Sequence, residues 1–161
     1  MENIASLVPS NEIEGIKCET VNENDESINE IGEKLSFTCA SLGGVGLAAP
    51  QIGIKKRMFV MAINNSVYKL IINPRYLKDS GRKKVIESCL SYPNKKYLVK
   101  RYKRIIAYYQ TFNPKTKVLE EVKQRLYGNS AIVFQHETDH CGNGEGELSK
   151  TIAMIGEEIE Q

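Results

Sequence analysis

The stretch Gln135-His136-Glu137-Thr138-Asp139-His140 constrains this chain more than any other. It has the form His-Glu-x-x-His, and the chain's only two histidines lie in it. Residues four apart on a helix share one face, so a helix here aims His136 and His140 at a single metal ion. Glu137, about 100° further round, comes within reach of a water on that metal. Ala131-Ile132-Val133-Phe134 leads in with apolar residues and no proline or glycine. Asn129 or Ser130 is placed to cap the start. Cys141-Gly142-Asn143-Gly144 stops the run. A helix over residues 130–140 is therefore predicted. The competing interpretation is a polar helix face with two exposed imidazoles.

Two histidines leave a metal site one protein ligand short of the usual three. The four cysteines, Cys18, Cys39, Cys89 and Cys141, are widely spaced and form no Cys-x-x-Cys pair, so a reduced state is expected. Cys89 sits in the short segment Glu87-Ser88-Cys89-Leu90-Ser91-Tyr92-Pro93 and suits the third position. Cys18 and Cys141 are rivals, although Cys141 follows His140 directly and points elsewhere on a continuing helix. Cys39 lies on an apolar stripe and is expected to fill a core.

That stripe belongs to a second predicted helix. Ile28, Ile31, Leu35, Cys39 and Leu42 recur every three or four residues. Asn24 or Asp25, or the box Ser27-x-x-Glu30, can cap it, and Gly43-Gly44 ends it. Before it, residues 1–24 are poorly patterned, with a turn signal at Pro9-Ser10-Asn11. After it comes the small-residue loop Gly44-Val45-Gly46-Leu47-Ala48-Ala49-Pro50-Gln51, in which Gln51 is the one strong polar group and a candidate oxyanion donor. A plain linker explains the loop equally well. Residues 57–63 and 67–72 are predicted strands joined at Asn64-Asn65, with Asn73-Pro74 ending the second and residues 78–81 forming a further turn. Residues 97–112 alternate as a strand. Residues 118–126 return beside it as a charged edge, and a short last helix is expected within residues 148–160. The class expected is α+β, with antiparallel β-sheets packed around a central metal-binding helix, in one domain spanning residues 1–161.

Charge and hydropathy exclude some classes of function. A net charge of +2 does not point to nucleic acid, and no specific DNA partner is expected; no apolar run approaches the roughly 18 residues of a membrane span. The N-terminus carries no basic, apolar leader, so a cytoplasmic location is expected.

Taken together, three motifs in order resemble peptide deformylases: the Gly-x-Gly-Leu-Ala-Ala-x-Gln loop at residues 44–51, Glu-Ser-Cys-Leu-Ser at residues 87–91, and Gln-His-Glu-x-Asp-His at residues 135–140. The first and third match the family pattern fully. In the second, Ser88 replaces a glycine. The resemblance covers residues 28–139. It implies hydrolytic removal of the N-formyl group from nascent chains that begin with formyl-methionine. It also implies one divalent metal on Cys89, His136 and His140, natively Fe(II), with zinc, nickel or cobalt able to replace it. Glu137 would move the proton, and Gln51 with the Leu90 backbone N–H would stabilise the oxyanion. Val45 and Gly46 would align the substrate backbone. Val45, Val85, Ile132 and Val133 would wall the methionine pocket.

Some features depart from the family. Ser88 adds a Cβ that is costly if the backbone has φ > 0. The tail is short and acidic, which resembles compact phage deformylases and fits RNA poorly. By contrast, residues 95–104 hold Lys95, Lys96, Lys100, Arg101, Lys103 and Arg104 with no acid. This run is a candidate for transient contact with RNA or the ribosome, or else a solvated strand face. A monomer is expected. The alternative functions are a His-Glu-x-x-His zinc endopeptidase and an inactive binding homologue.

Overall fold

The computed structural model describes residues 3–65 and 67–160. Helix α1 (Ile28–Ser41) forms on the predicted stripe, burying Ile28, Ile31, Leu35 and Cys39. Its N-cap falls where the Ser27 box placed it, but without the expected side-chain bond. Ser27 occupies the N-cap without a side-chain cap bond, because its hydroxyl and backbone N–H both donate to Asp25 Oδ1. Pro9 leads into a single 3₁₀ turn, Ser10–Glu12. Residues 13–19 are tied down by isolated bridges from Lys17 to Leu148 and from Glu19 to Lys56.

The small-residue loop supplies strand β1 (Gly46–Ala48) and a 3₁₀ turn (Ala49–Ile52). Then follow β2 (Met58–Asn64), β3 (Val67–Cys89), β4 (Tyr92–Asn113) and β5 (Val118–Tyr127), helix α2 (Gly128–Cys141), the single turn α3 (Ile152–Ile155) and β6 (Glu157–Ile159). All strands pair antiparallel in one sheet of order β1-β2-β3-β4-β5, with β6 also on β4. The expected α+β class is the class observed. Among the described residues no helix is long and apolar enough to cross a membrane.

Three sequence expectations are corrected. Asn73-Pro74 and residues 78–81 do not end strands. They are irregularities within β3, where the register shifts between Ile72 and Arg75 and again between Lys78 and Ser80. Asn73 at φ 51° and Gly81 at φ 66° take the left-handed backbone that such bulges use. Residues 148–160 form only one helical turn. Their end pairs as β6 with Lys96–Leu98, because β5 covers the β4 edge only from Arg104 onward. At the start of α2 the N-cap is Tyr127, not Asn129 or Ser130.

Helix α2 touches β1, β2, β3, β4 and β5, so the sheet wraps it. Phe134 anchors it, edge-on to Phe59 at 5.4 Å and tilted against Tyr109 at 5.7 Å. Burying a side chain of this size contributes about 1.5–3 kcal/mol. Gly142 must end the helix as it does. Its φ is 85°, and an added Cβ would lie 2.5 Å from the Glu147 carbonyl oxygen.

Candidate metal centre

Two distant parts of the chain meet at the second half of α2. Helical spacing stacks His136 and His140 with ring centroids 5.1 Å apart. The end of β3 brings Cys89 against them, its Sγ 3.5 Å from His140 Nε2. The three ligand atoms lie within 4.8 Å of one another, and Cys89 and His140 are buried. Both rival thiols lie outside this cluster. Cys141 directs its Sγ to the Met58 carbonyl. Burial raises the Cys18 thiol to about 11 and Cys39 likewise, the latter on the core stripe as expected.

The donor set fits a divalent cation. One soft cysteine sulfur and two imidazoles converge with no lysine or arginine among them, a donor set that suits a divalent transition-metal ion. One of the two imidazoles is held in the neutral form that a metal ligand needs. Burial and the charge of His136 hold His140 well below its ordinary value, so its ring stays neutral. Glu137 completes the centre. Burial pushes its carboxyl up to about 7, with His136 opposing and the charge of Glu87 adding to the rise. Its Oε1 is buried and has no hydrogen-bond partner within the protein. Its Oε2 packs on β1, so that a Cβ at Gly46 would come within 2.7 Å of it. Only glycine lets the β1 backbone pass this close to the carboxylate.

A cleft of about 520 Å³ opens on the centre. Gln51, Glu87, Cys89, Leu90, His136 and Glu137 line it together with Val45, Gly46, Ile132 and Val133. Val85 is not among the residues lining this cleft; it packs against the neighbouring cluster of Cys89, Tyr97, Val99 and Ile152. Strand β1 borders the cleft and, among the described residues, pairs on one side only, with β2. Gln51 is held in a fixed orientation. Its Oε1 accepts the Ala48 N–H at 2.9 Å, which turns Nε2 toward Ser91 Oγ at 2.9 Å and Cys89 Sγ at 3.6 Å. Ser88 is exposed in the cleft and is not among the left-handed non-glycine residues, which are Asn73, Asn94 and Lys117. The glycine replacement therefore carries no backbone strain.

A buried network supports the ligands. His136 Nδ1 lies 2.8 Å from Glu87 Oε1, leaving Nε2 for a metal. Arg101 clamps Glu87 with two bonds, at 2.8 and 2.9 Å, and reaches Asp139 at 2.6 Å. Tyr76 donates to Asp139 at 2.8 Å. Arg101 was expected in an exposed basic run; it is instead only 4% exposed. Its position on the inward face of β4, in step with Tyr97, Val99 and Ile105, was the available signal. Tyr76 gave none. Gln135 has a structural task. Its side-chain amide takes the N–H and C=O of Tyr102 at 3.0 Å each, in the stretch of β4 edge between β5 and β6.

Two outcomes follow from the network. Arg101→Met leaves two carboxylates buried without a cation and is expected to cost about 3–5 kcal/mol in urea unfolding; a loss under about 1 kcal/mol would contradict the clamp. Stability should also depend on acid through Glu87. Burial would raise its pKa, yet hydrogen bonds from Arg101 and His136 hold it down at about 2. A depressed carboxylate stabilises fully above its unfolded value of 4.5, and that contribution is lost as pH falls toward 2. Unfolding midpoints measured down this window should drop more steeply for the parent than for Glu87→Gln.

The comparisons with known proteins agree with this geometry. The polypeptide deformylase family model matches residues 8–146. A peptide deformylase from Thermotoga petrophila is 40% identical over 125 residues, covering 77% of this chain and 73% of that one. One from Dictyoglomus thermophilum is 36% identical over 124 residues, covering 77% of each. The crystal structure of peptide deformylase from Thermotoga maritima superposes with a TM-score of 0.79 at 34% identity, over 94% of this chain and 97% of that one. With the family model spanning most of its length, this chain belongs to the polypeptide deformylase family.

Proposed function

We propose that this protein hydrolyses the N-formyl amide of polypeptides beginning with formyl-methionine, releasing formate, with Cys89, His136 and His140 holding one divalent metal, natively Fe(II). The observation that carries this reading is the convergence of those three ligands beside Glu137, whose free Oε1 is buried at the floor of a cleft. When bound, the metal supplies Lewis-acid chemistry, making a water nucleophilic near neutral pH and polarising the formyl oxygen. Glu137 accepts the proton that this water loses. Its raised pKa of about 7 matches a group that must both take up and give back a proton. The water oxygen adds to the formyl carbon. Glu137 then delivers the proton to the departing nitrogen as the C–N bond breaks, which gives the free amine and formic acid; the acid's own proton passes to the amine or to solvent, leaving formate.

Charge that develops on the formyl oxygen is met by Gln51 Nε2 and by the Leu90 backbone N–H. Because Ala48 fixes the Gln51 amide beforehand, the donor needs no reorientation in the transition state. Gln51→Ala is expected to lower kcat by about 10²–10³. A loss confined to KM would contradict the assignment. The open edge of β1 receives the substrate as an added strand through Val45 and Gly46. Val45, 62% exposed, faces the methionine side chain with Ile132 and Val133. The natural substrate is a nascent chain, met in transient contact with the ribosome.

Formate release from formyl-Met-Ala-Ser by metal-loaded protein tests the reading. Cleavage of unformylated internal peptide bonds in its place would favour an endopeptidase.

A further inference from the structure

The β3–β4 hairpin carries a charge ladder that hydrolysis does not use. Residues 55–104 hold 15 Lys or Arg and two Asp or Glu. The strand register sets Lys84 directly opposite Lys100 and Arg82 opposite Tyr102. Residues two apart on a strand share a face, so Arg82 and Lys84 lie on one side with Lys100. Like charges directly opposite are destabilising. Within the segment no acid is left to compensate: Glu87 is taken by Arg101 and Asp79 by Arg125 at 3.8 Å, and Asp139, which lines the adjoining hollow from α2, is also held by Arg101. Among the described residues Arg82, Lys84 and Lys100 are exposed and form no ion pair.

The fold also redraws the basic run visible in the sequence. Arg101 is withdrawn into the interior, and Lys95 is neutralised by Glu158 of β6 at 3.2 Å. What remains is a surface shared by two strands and the C-terminal segment. Arg82 and Lys100 meet Lys150 around a hollow of about 170 Å³, which Tyr102 also lines. The Arg82 guanidinium lies 5.0 Å from the Tyr102 ring centroid, and Arg75 lies 4.1 Å from that of Tyr108. Arg82 Nη2 donates to the Tyr102 hydroxyl at 3.4 Å, and a stacked guanidinium keeps its remaining N–H donors for phosphate oxygens.

We propose that this face, centred on Arg82, Lys84, Lys100 and Lys150, docks the phosphate backbone of structured RNA. A dense cation ladder with no free acid in its own segment complements the phosphate backbone of a polyanion. The inference rests on the deformylase reading in one respect. A formyl-methionyl chain is still attached to an RNA-rich machine when it is made, so holding RNA brings the cleft to its substrate.

The test is fluorescence anisotropy of the full chain with a labelled RNA duplex of about 20 base pairs, at about 50 and 200 mM salt. The double variant Lys84→Gln/Lys100→Gln should weaken binding at least about tenfold at the lower salt and reduce the salt slope by about two. The pair Lys34→Gln/Lys115→Gln removes the same charge elsewhere and should leave affinity within about twofold. No binding by the parent protein, or equal losses from both double variants, would overturn the proposal. Tighter binding to phosphatidylserine vesicles than to RNA would overturn it in favour of a membrane. Formate release, measured in parallel, should be unchanged in both variants. Its absence from the parent, with RNA binding still lost at Lys84 and Lys100, would remove the hydrolase reading and leave the RNA face in place.

Discussion

Glu137→Gln is expected to cut formate release by about 10²–10⁴ while one metal per chain is retained. The substitution keeps the shape of the side chain and removes only its capacity to hold a proton in transit. Glutamine should be tolerated structurally. The native carboxyl is already buried with Oε1 unpartnered and its pKa raised to about 7, so the folded protein gains little from its charge. Activity should therefore fall without a matching fall in thermal stability. Metal content by mass spectrometry and unfolding by circular dichroism separate the two. Loss of metal in this variant would place Glu137 among the ligands and contradict its role as the proton carrier.

Cys89→Ala is expected to abolish both metal retention and formate release. Two histidines alone leave the site with fewer ligands than catalytic metals of this kind use. The pair is also not equivalent without the thiolate. His140 is held neutral by burial. His136 sits between Cys89 and Glu87, whose hydrogen bonds carry its pKa well above the ordinary value although burial opposes them. With Cys89 gone, His136 keeps its Glu87 partner, but no thiolate remains to complete the donor set with the two imidazoles. Equilibrium dialysis should show metal occupancy falling from one per chain to near zero. Full occupancy in Cys89→Ala would require another thiol, and Cys18, Cys39 and Cys141 are all buried away from the cluster. Under the proposed Fe(II) loading, a thiolate at this position would be expected to make activity sensitive to oxygen.

Much of the site was legible because its chemistry requires particular residues at fixed spacing. His136 and His140 needed a helix, and the apolar run before them supplied one. Cys89 was one of three candidate thiols by chemistry and was singled out by the resemblance; the fold brings it to the histidines. The supporting residues were harder to read. Arg101 was hidden in a run of lysines and arginines, and its burial depends on Glu87 and Asp139 arriving from other elements. The stripe of α1 was readable from periodicity. Strand β3 was not, because Asn73, Pro74 and Gly81 have the same composition in a bulge as in a turn. The last strand was missed for a similar reason. Residues 157–159 gain their partner only because β5 leaves part of the β4 edge uncovered, a fact of tertiary structure with no local signature. Val85 was assigned to the methionine pocket by family spacing, and its strand face turns it toward Val99 and the cluster under α3.

The most direct test is formate release from formyl-Met-Ala-Ser by protein purified without oxygen and loaded with Fe(II) or Ni(II), with Glu137→Gln assayed alongside. The account predicts one metal per chain, formate released in step with free Met-Ala-Ser, and almost none from the variant. A protein that binds one metal at Cys89, His136 and His140 and releases no formate would contradict it.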